Sequence, residues 1–206
     1  MRATRKLWTV VLAISIPLAM SACGNGAAES SQSEQHETAQ SKPTEKPTKK
    51  PTPGIGETVE NDGIRMKLVS ASDQPNINYD TCGDGCSNHE YAPKAADPNA
   101  KYWVVTTEIT NTGKEPIDLT CSYPVEINAY NSENQKYTPI KDLYQVQGNP
   151  ECNTQLQPGL SSAMTYPFQV PSGATMIGLS WKPVHINEES QPEYSYFLTD
   201  NNYELK

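Results

Sequence analysis

The amino-acid sequence predicts an all-β fold, an antiparallel β-sandwich behind a targeting leader and a linker, and three observations carry that prediction. From Gly56 onward apolar and polar residues alternate, which is the strand period. The alternating runs are short and are separated by Asn, Asp, Gly and Pro turn signals. No stretch shows a convincing helical period, and 17 Pro and 12 Gly among 206 residues suit many turns better than a helical bundle.

The leader comes first. Met1–Lys6 is basic, residues 7–20 are mostly apolar, and Ser21-Ala22 are small residues before Cys23, the three-part layout of a secretory signal. The apolar run is shorter than the roughly 20 residues a spanning helix needs, and Pro17 interrupts it. Leu18-Ala19-Met20-Ser21-Ala22-Cys23 resembles the lipobox of bacterial lipoproteins, with Met20 standing where Leu, Val or Ile is usual. The resemblance implies that residues 1–22 are a lipoprotein signal peptide. It also implies that Cys23 carries a diacylglyceryl, palmitate-type anchor and that the chain sits on the extracytoplasmic face of the cell membrane. Two acyl chains, at about 0.8 kcal/mol per buried methylene, anchor stably where one does not. An ordinary secretory cut or an uncleaved anchor is the alternative.

Residues 23–54 follow as the lipidated cysteine and a tether. Gly24–Gly54 has no aromatic residue and is dominated by Ser, Gln, Glu, Lys, Pro and Thr, so it has too little apolar surface to offset ordering its backbone. Lys42-Pro43-Thr44-Glu45, Lys46-Pro47-Thr48-Lys49 and Lys50-Pro51-Thr52-Pro53 form a four-residue repeat biased toward polyproline II. Solvated lysines are the default here, since Glu45 interrupts the run, and contact of the lysines with anionic lipid or wall polymer is the lesser alternative.

The sandwich domain is expected over residues 55–183. Thr58-Val59-Glu60 pairs with Ile64–Leu68 across the turn Asn61-Asp62-Gly63. Trp103, Val105, Thr107 and Ile109 point one way along the next strand, which ends at Asn111-Thr112-Gly113-Lys114. Ile117–Leu119 and the run Val125, Ile127, Ala129 come next. Met164, Tyr166, Phe168 and Val170 share one face after Pro158-Gly159, with Pro167 limiting that strand to an edge or a non-donating position. Ile177, Leu179 and Trp181 close the series, and both Trp103 and Trp181 fall on inward positions. Residues 184–206 form an acidic tail whose Tyr194–Thr199 reads as an added edge strand or as a strand offered to a partner.

The run Lys101–Gly113, with its Asn-Thr-Gly end, resembles the central strand of a family of immunoglobulin-like domains of unknown function found in bacterial, often actinobacterial, lipoproteins. Leu156-Gln157-Pro158-Gly159 followed by Met164–Pro171 resembles the same family's later turn and strand. The similarity covers about residues 55–183 and extends distantly to a small secreted mycobacterial immunogenic β-sandwich protein. It implies an extracytoplasmic immunoglobulin-like β-sandwich and carries no catalytic residue across.

With Cys23 lipidated, Cys82, Cys86, Cys121 and Cys152 remain, an even number that reads as two disulfides in an exported protein. Cys82 with Cys86 and Cys121 with Cys152 is the favoured pairing, since Gly83 and Gly85 allow a tight return. Pairing across the two sets stays open. The rival chemistry is a metal site: Cys82, Cys86 and His89 have C-x3-C-x2-H spacing, with Asp80, Asp84 and Glu90 nearby, a set that suits zinc or copper when the thiols are reduced.

Charge and motif content narrow the function classes. The net charge of −8 becomes more acidic when the leader takes away Arg2, Arg5 and Lys6, which disfavours nucleic acid. No G-x-S-x-G elbow, H-E-x-x-H pair or phosphate-cradling glycine loop is present; His36 lies in the tether and His185 beyond the last clear strand. Arg65, the sole Arg after the leader, is an outward strand residue. The Tyr91–Tyr102 and Tyr123–Tyr144 regions offer tyrosines for a contact surface. The expectation is a non-enzymatic, cofactor-free module that contacts the membrane through its anchor and an undefined envelope protein or polymer through its domain. The rival is an accessory lipoprotein binding metal or a small solute through the Cys82–His89 loop.

Overall fold

The computed structural model describes residues 52–82, 88–184, 192–200 and 202, all within the unit Thr48–Lys206. The leader, Cys23 and the tether up to residue 51 lie outside the described residues. In chain order the strands are β1 (Thr58–Asn61), β2 (Ile64–Gln74), β3 (Asn76–Asp80), β4 (Tyr91–Ala95), β5 (Ala100–Asn111), β6 (Ile117–Asp118), β7 (Val125–Asn131), β8 (Lys136–Tyr137), β9 (Gln155–Leu156), β10 (Ser161–Pro171), β11 (Met176–Pro183) and β12 (Ser195–Leu198). A 3-10 turn at Leu143–Gln145 is the one helical piece among the described residues.

Two four-stranded antiparallel sheets, ordered β1-β2-β5-β10 and β12-β11-β7-β8, make the sandwich. Alternation explains how they pack. Met66, Leu68, Trp103, Val105, Ile109, Met164, Tyr166 and Phe168 line the inner face of the first sheet, and they share one core with Ile127, Ala129, Leu179, Trp181 and Phe197 of the second. The β1–β2 hairpin turns through Asp62 and Gly63, both at positive φ (37° and 83°), the backbone of a type I′ turn.

The Asn-Thr-Gly end of β5 and the Pro-Gly corner before β10 prove to be one device. The buried Asn111 side chain donates to the carbonyls of Glu115 and Leu156 and accepts from Gly113 N–H. Its main chain donates to Leu160 and accepts from Gly159.

Two features depart from the sequence reading, and a third decides between alternatives it left open. The β3–β4 hairpin was not anticipated, because Asn76-Ile77-Asn78-Tyr79-Asp80 carries a single strongly apolar residue. Ile77 packs with Tyr102 and Val104 in a second, smaller cluster. Tyr102, read as an exposed loop tyrosine, is therefore buried. The tail strand is intramolecular: β12 pairs with β11, Phe197 is fully buried, and Leu198 N–H donates to Pro53. Arg65 does point outward, but its guanidinium meets Glu60 across the β1–β2 hairpin at 2.8 Å.

Candidate functional site

The cysteine-bearing end of the domain gathers several chemistry-bearing residues. Cys121 and Cys152 are joined, with Cα atoms 5.3 Å apart, as the favoured pairing expected. Beside them Asp118 is buried, and its carboxylate accepts from the N–H groups of Thr120, Cys121 and Asn153 and from the Thr120 hydroxyl. Burial pushes this carboxyl up, but the donors outweigh it and hold the group below its ordinary range. Asp118 and the two sulfurs lie within 4.8 Å of one another, yet the sulfurs are shared in a disulfide and the carboxylate is taken by N–H donors. The cluster is a staple.

The proposed metal ligands come apart in a similar way. Cys82 is disulfide-bonded and so offers no thiolate; Asp84 and Cys86 lie outside the described residues. His89 is held by Asp80, whose Oδ2 lies 2.6 Å from Nδ1. Asp80 is buried and also accepts from the N–H groups of Cys82 and Glu90. The hydrogen bond from His89, then that from Cys82, keep the Asp80 carboxyl below its ordinary value, and the same carboxylate raises the His89 imidazole above its own. Nε2 faces Glu151 at 3.6 Å. The trio is a charged clasp between the β3–β4 hairpin and the segment carrying Cys152. Asp80 and His89 are close in sequence, but Glu151 is more than 60 positions away, so no spacing rule finds the trio.

Two cavities among the described residues adjoin the sandwich. One, of about 420 Å³, lies at the Met176 end of β11, where the Lys101 ammonium is occupied by Asp73 at 2.7 Å and the Ala174 carbonyl at 2.8 Å. The other, of about 400 Å³, lies at the opposite end, beside β7, and is walled by Leu119, Val125, Ile127, Pro139 and Leu143 with Tyr166 among them. Tyr166 is the distinctive group. Its side chain is buried, burial holds its hydroxyl well above the ordinary tyrosine value, and the described residues offer that hydroxyl no hydrogen-bond partner.

The chain itself explains why the sandwich gapes there. β8 pairs with β7 only at Ala129↔Tyr137 and Tyr130↔Lys136. Two residues past Tyr137 comes Pro139, which has no N–H to continue the ladder, and Ile140 N–H already bonds Pro167 of β10 in the other sheet. Among the described residues, Val125–Asn128 therefore has β11 on one side and no strand on the other. Val184 N–H donates to Pro124 and Lys182 pairs with Glu126, so antiparallel alternation turns the N–H and C=O of Val125 and Ile127 toward the open side.

At the rim, Tyr123 is half-exposed and sits at φ 49° immediately before Pro124. A bulky residue pays about 1–2 kcal/mol for that backbone, and proline on its C-terminal side disfavours it further. Lys136 is also at the rim and makes no ion pair among the described residues. Glu126, by contrast, is committed to the Tyr194 hydroxyl and to Lys182. Tyr123 was flagged from sequence as a contact residue. The open edge and Tyr166 were not, because Tyr166 reads simply as the inward residue of an alternating strand.

No family model matches the chain, and no curated protein matches it. Solved structures similar to it include an uncharacterized β-sandwich protein from Clostridium difficile 630, at 15% identity over 75% of this chain and 100% of that one, TM-score 0.44. The yjhA protein from Bacillus subtilis is similar at 14% identity over 72% of this chain and 100% of its own, TM-score 0.48. A secreted protein from Mycobacterium tuberculosis is similar at 11% identity over 72% of this chain and 95% of its own, TM-score 0.41.

Proposed function

We propose that this chain is a lipid-anchored, non-enzymatic recognition module, displayed on the extracytoplasmic face of the cell membrane, that captures a component of the cell envelope at the cleft beside β7. The observation that carries the reading is a mostly apolar cavity, with the Tyr166 side chain in its wall, at an open strand edge. Concave, mostly apolar sites with a few convergent polar groups are where proteins bind partners. The lipobox-like run ending at Cys23 supports anchoring. The tether supports display: about 30 residues span roughly 30 Å as a coil and about three times that when extended.

A photo-crosslinking residue placed at Tyr123 in intact cells tests the site, with the outward position Lys67 as control. The expected result is one envelope component trapped from Tyr123 and absent from Lys67; identical products from the two positions would remove the cleft as the recognition site. Cys23→Ala tests the anchor, since a variant that still partitions with membranes is held by something other than lipid.

A further inference from the structure

Taking the cleft as the recognition site, we infer that its partner is an extended peptide that adds as a strand along Val125–Asn128 and seats a tyrosine side chain in the cavity. Strand addition needs an exposed sheet edge with unused main-chain groups and a pocket for an alternate side chain, and this edge has both. Val125 and Ile127 present their N–H and C=O groups outward, while their own side chains face the cavity. A strand laid there has residues alternating between solvent and the cavity.

The cavity selects what enters it. Leu119, Val125, Ile127 and Leu143 offer an apolar sleeve, and Tyr166 and Thr138 bring hydroxyls into its lining, so an aromatic ring ending in its own hydroxyl suits both. Lys136 at the rim favours a carboxylate close to the inserted residue. The edge is short, which suits a weak, reversible encounter in which the inserted side chain supplies specificity.

Other occupants fit less well. The chain's own tether, Gly24–Gly54, contains no aromatic residue. A second copy brings its own acidic excess against this one, at −8 per chain.

The test uses the exported chain carrying Cys23→Ala and N-acetylated nine-residue peptides of alternating threonine and valine, with a central tyrosine or phenylalanine and a glutamate beside it. The tyrosine peptide should bind and slow hydrogen exchange at the Val125 and Ile127 amides. Methylating the peptide nitrogens that face the edge should weaken it about tenfold or more, with the other set tolerated. Replacing tyrosine by phenylalanine should cost roughly three- to tenfold, and that difference should vanish in Tyr166→Phe. If no peptide binds, or if one binds with Val125 and Ile127 unprotected, strand addition is wrong. In either case a Tyr123 crosslink in cells still upholds the cleft as the recognition site, so the two failures are separable. Protection of both amides without peptide, in a chain that sediments as a dimer, would assign the edge to a second copy and overturn the peptide proposal.

Discussion

The side chain of Asn149 stands where a neighbouring strand would lie beside Thr165: its Nδ2 donates to the Thr165 carbonyl at 2.9 Å and its Oδ1 accepts from Thr165 N–H at 2.7 Å. A third bond reaches the Leu143 carbonyl. Together with Ile140 N–H on the Pro167 carbonyl, this closes the middle of β10's outer edge. An unprotected edge is a template for pairing with other chains. One edge of this sandwich is thus capped by the Asn149 amide and Ile140 N–H, while among the described residues the Val125–Asn128 edge has no such cap.

Asn149→Ala should expose that edge. The Thr165 N–H loses its acceptor, and the expected loss of stability is about 2 kcal/mol, read from the urea midpoint. Concentration-dependent association should appear with it, measured by sedimentation. A variant as stable and as monomeric as the parent would show that the amide is dispensable.

Removing the Cys121–Cys152 bridge, 31 positions apart, should cost about 3.5 kcal/mol on the chain-entropy model. The matched pair Cys121→Ala with Cys152→Ala, unfolded under non-reducing conditions, measures it. A midpoint close to the parent's would mean that the Asp118 hydrogen bonds alone hold the two segments.

Asp118 makes the same region acid-sensitive. Its carboxyl is held below the ordinary aspartate value in the folded chain, so its contribution is fully present above the unfolded value, near 3.9. That contribution is lost as pH falls through the lower, folded one. Asp118→Asn should remove the charge-assisted part, about 2 kcal/mol at pH 6, and converge with the parent toward pH 2.

The Asp80–His89 pair has a basic limb as well. The folded His89 pKa is raised, so its stabilisation is complete below the unfolded value of about 6.5. It disappears as pH climbs through the raised value, while Asp80, whose pKa is lowered, contributes across that whole range. Urea midpoints should therefore decline from pH 6 toward pH 9 in the parent and stay flatter in His89→Gln. Parallel profiles would exclude the clasp as the cause.

The two-residue turn at Asp62-Gly63, the core face of β5 and the edge placement of β10 were legible in the residues, because turn dihedrals, strand period and the missing proline N–H are local properties. The β3–β4 hairpin was not, because Ile77 buries itself only against Tyr102 and Val104 on a strand more than 20 residues away. Asp80 and His89 stand close in sequence as candidate ligands, but their pairing and the reach to Glu151 depend on the hairpin register and on a segment more than 60 residues away.

The sequence by itself determined an all-β chain of alternating strands, where its turns fall and which faces are buried, since these follow from period, turn chemistry and hydrophobicity over a few residues. Only the tertiary structure decided where the sandwich stays open. That depends on β8 breaking from β7 at Pro139 and crossing to Pro167. It also depends on Tyr166 facing that gap rather than a filled core. Both are relations between residues distant along the chain, and no local pattern encodes the space left between two sheets.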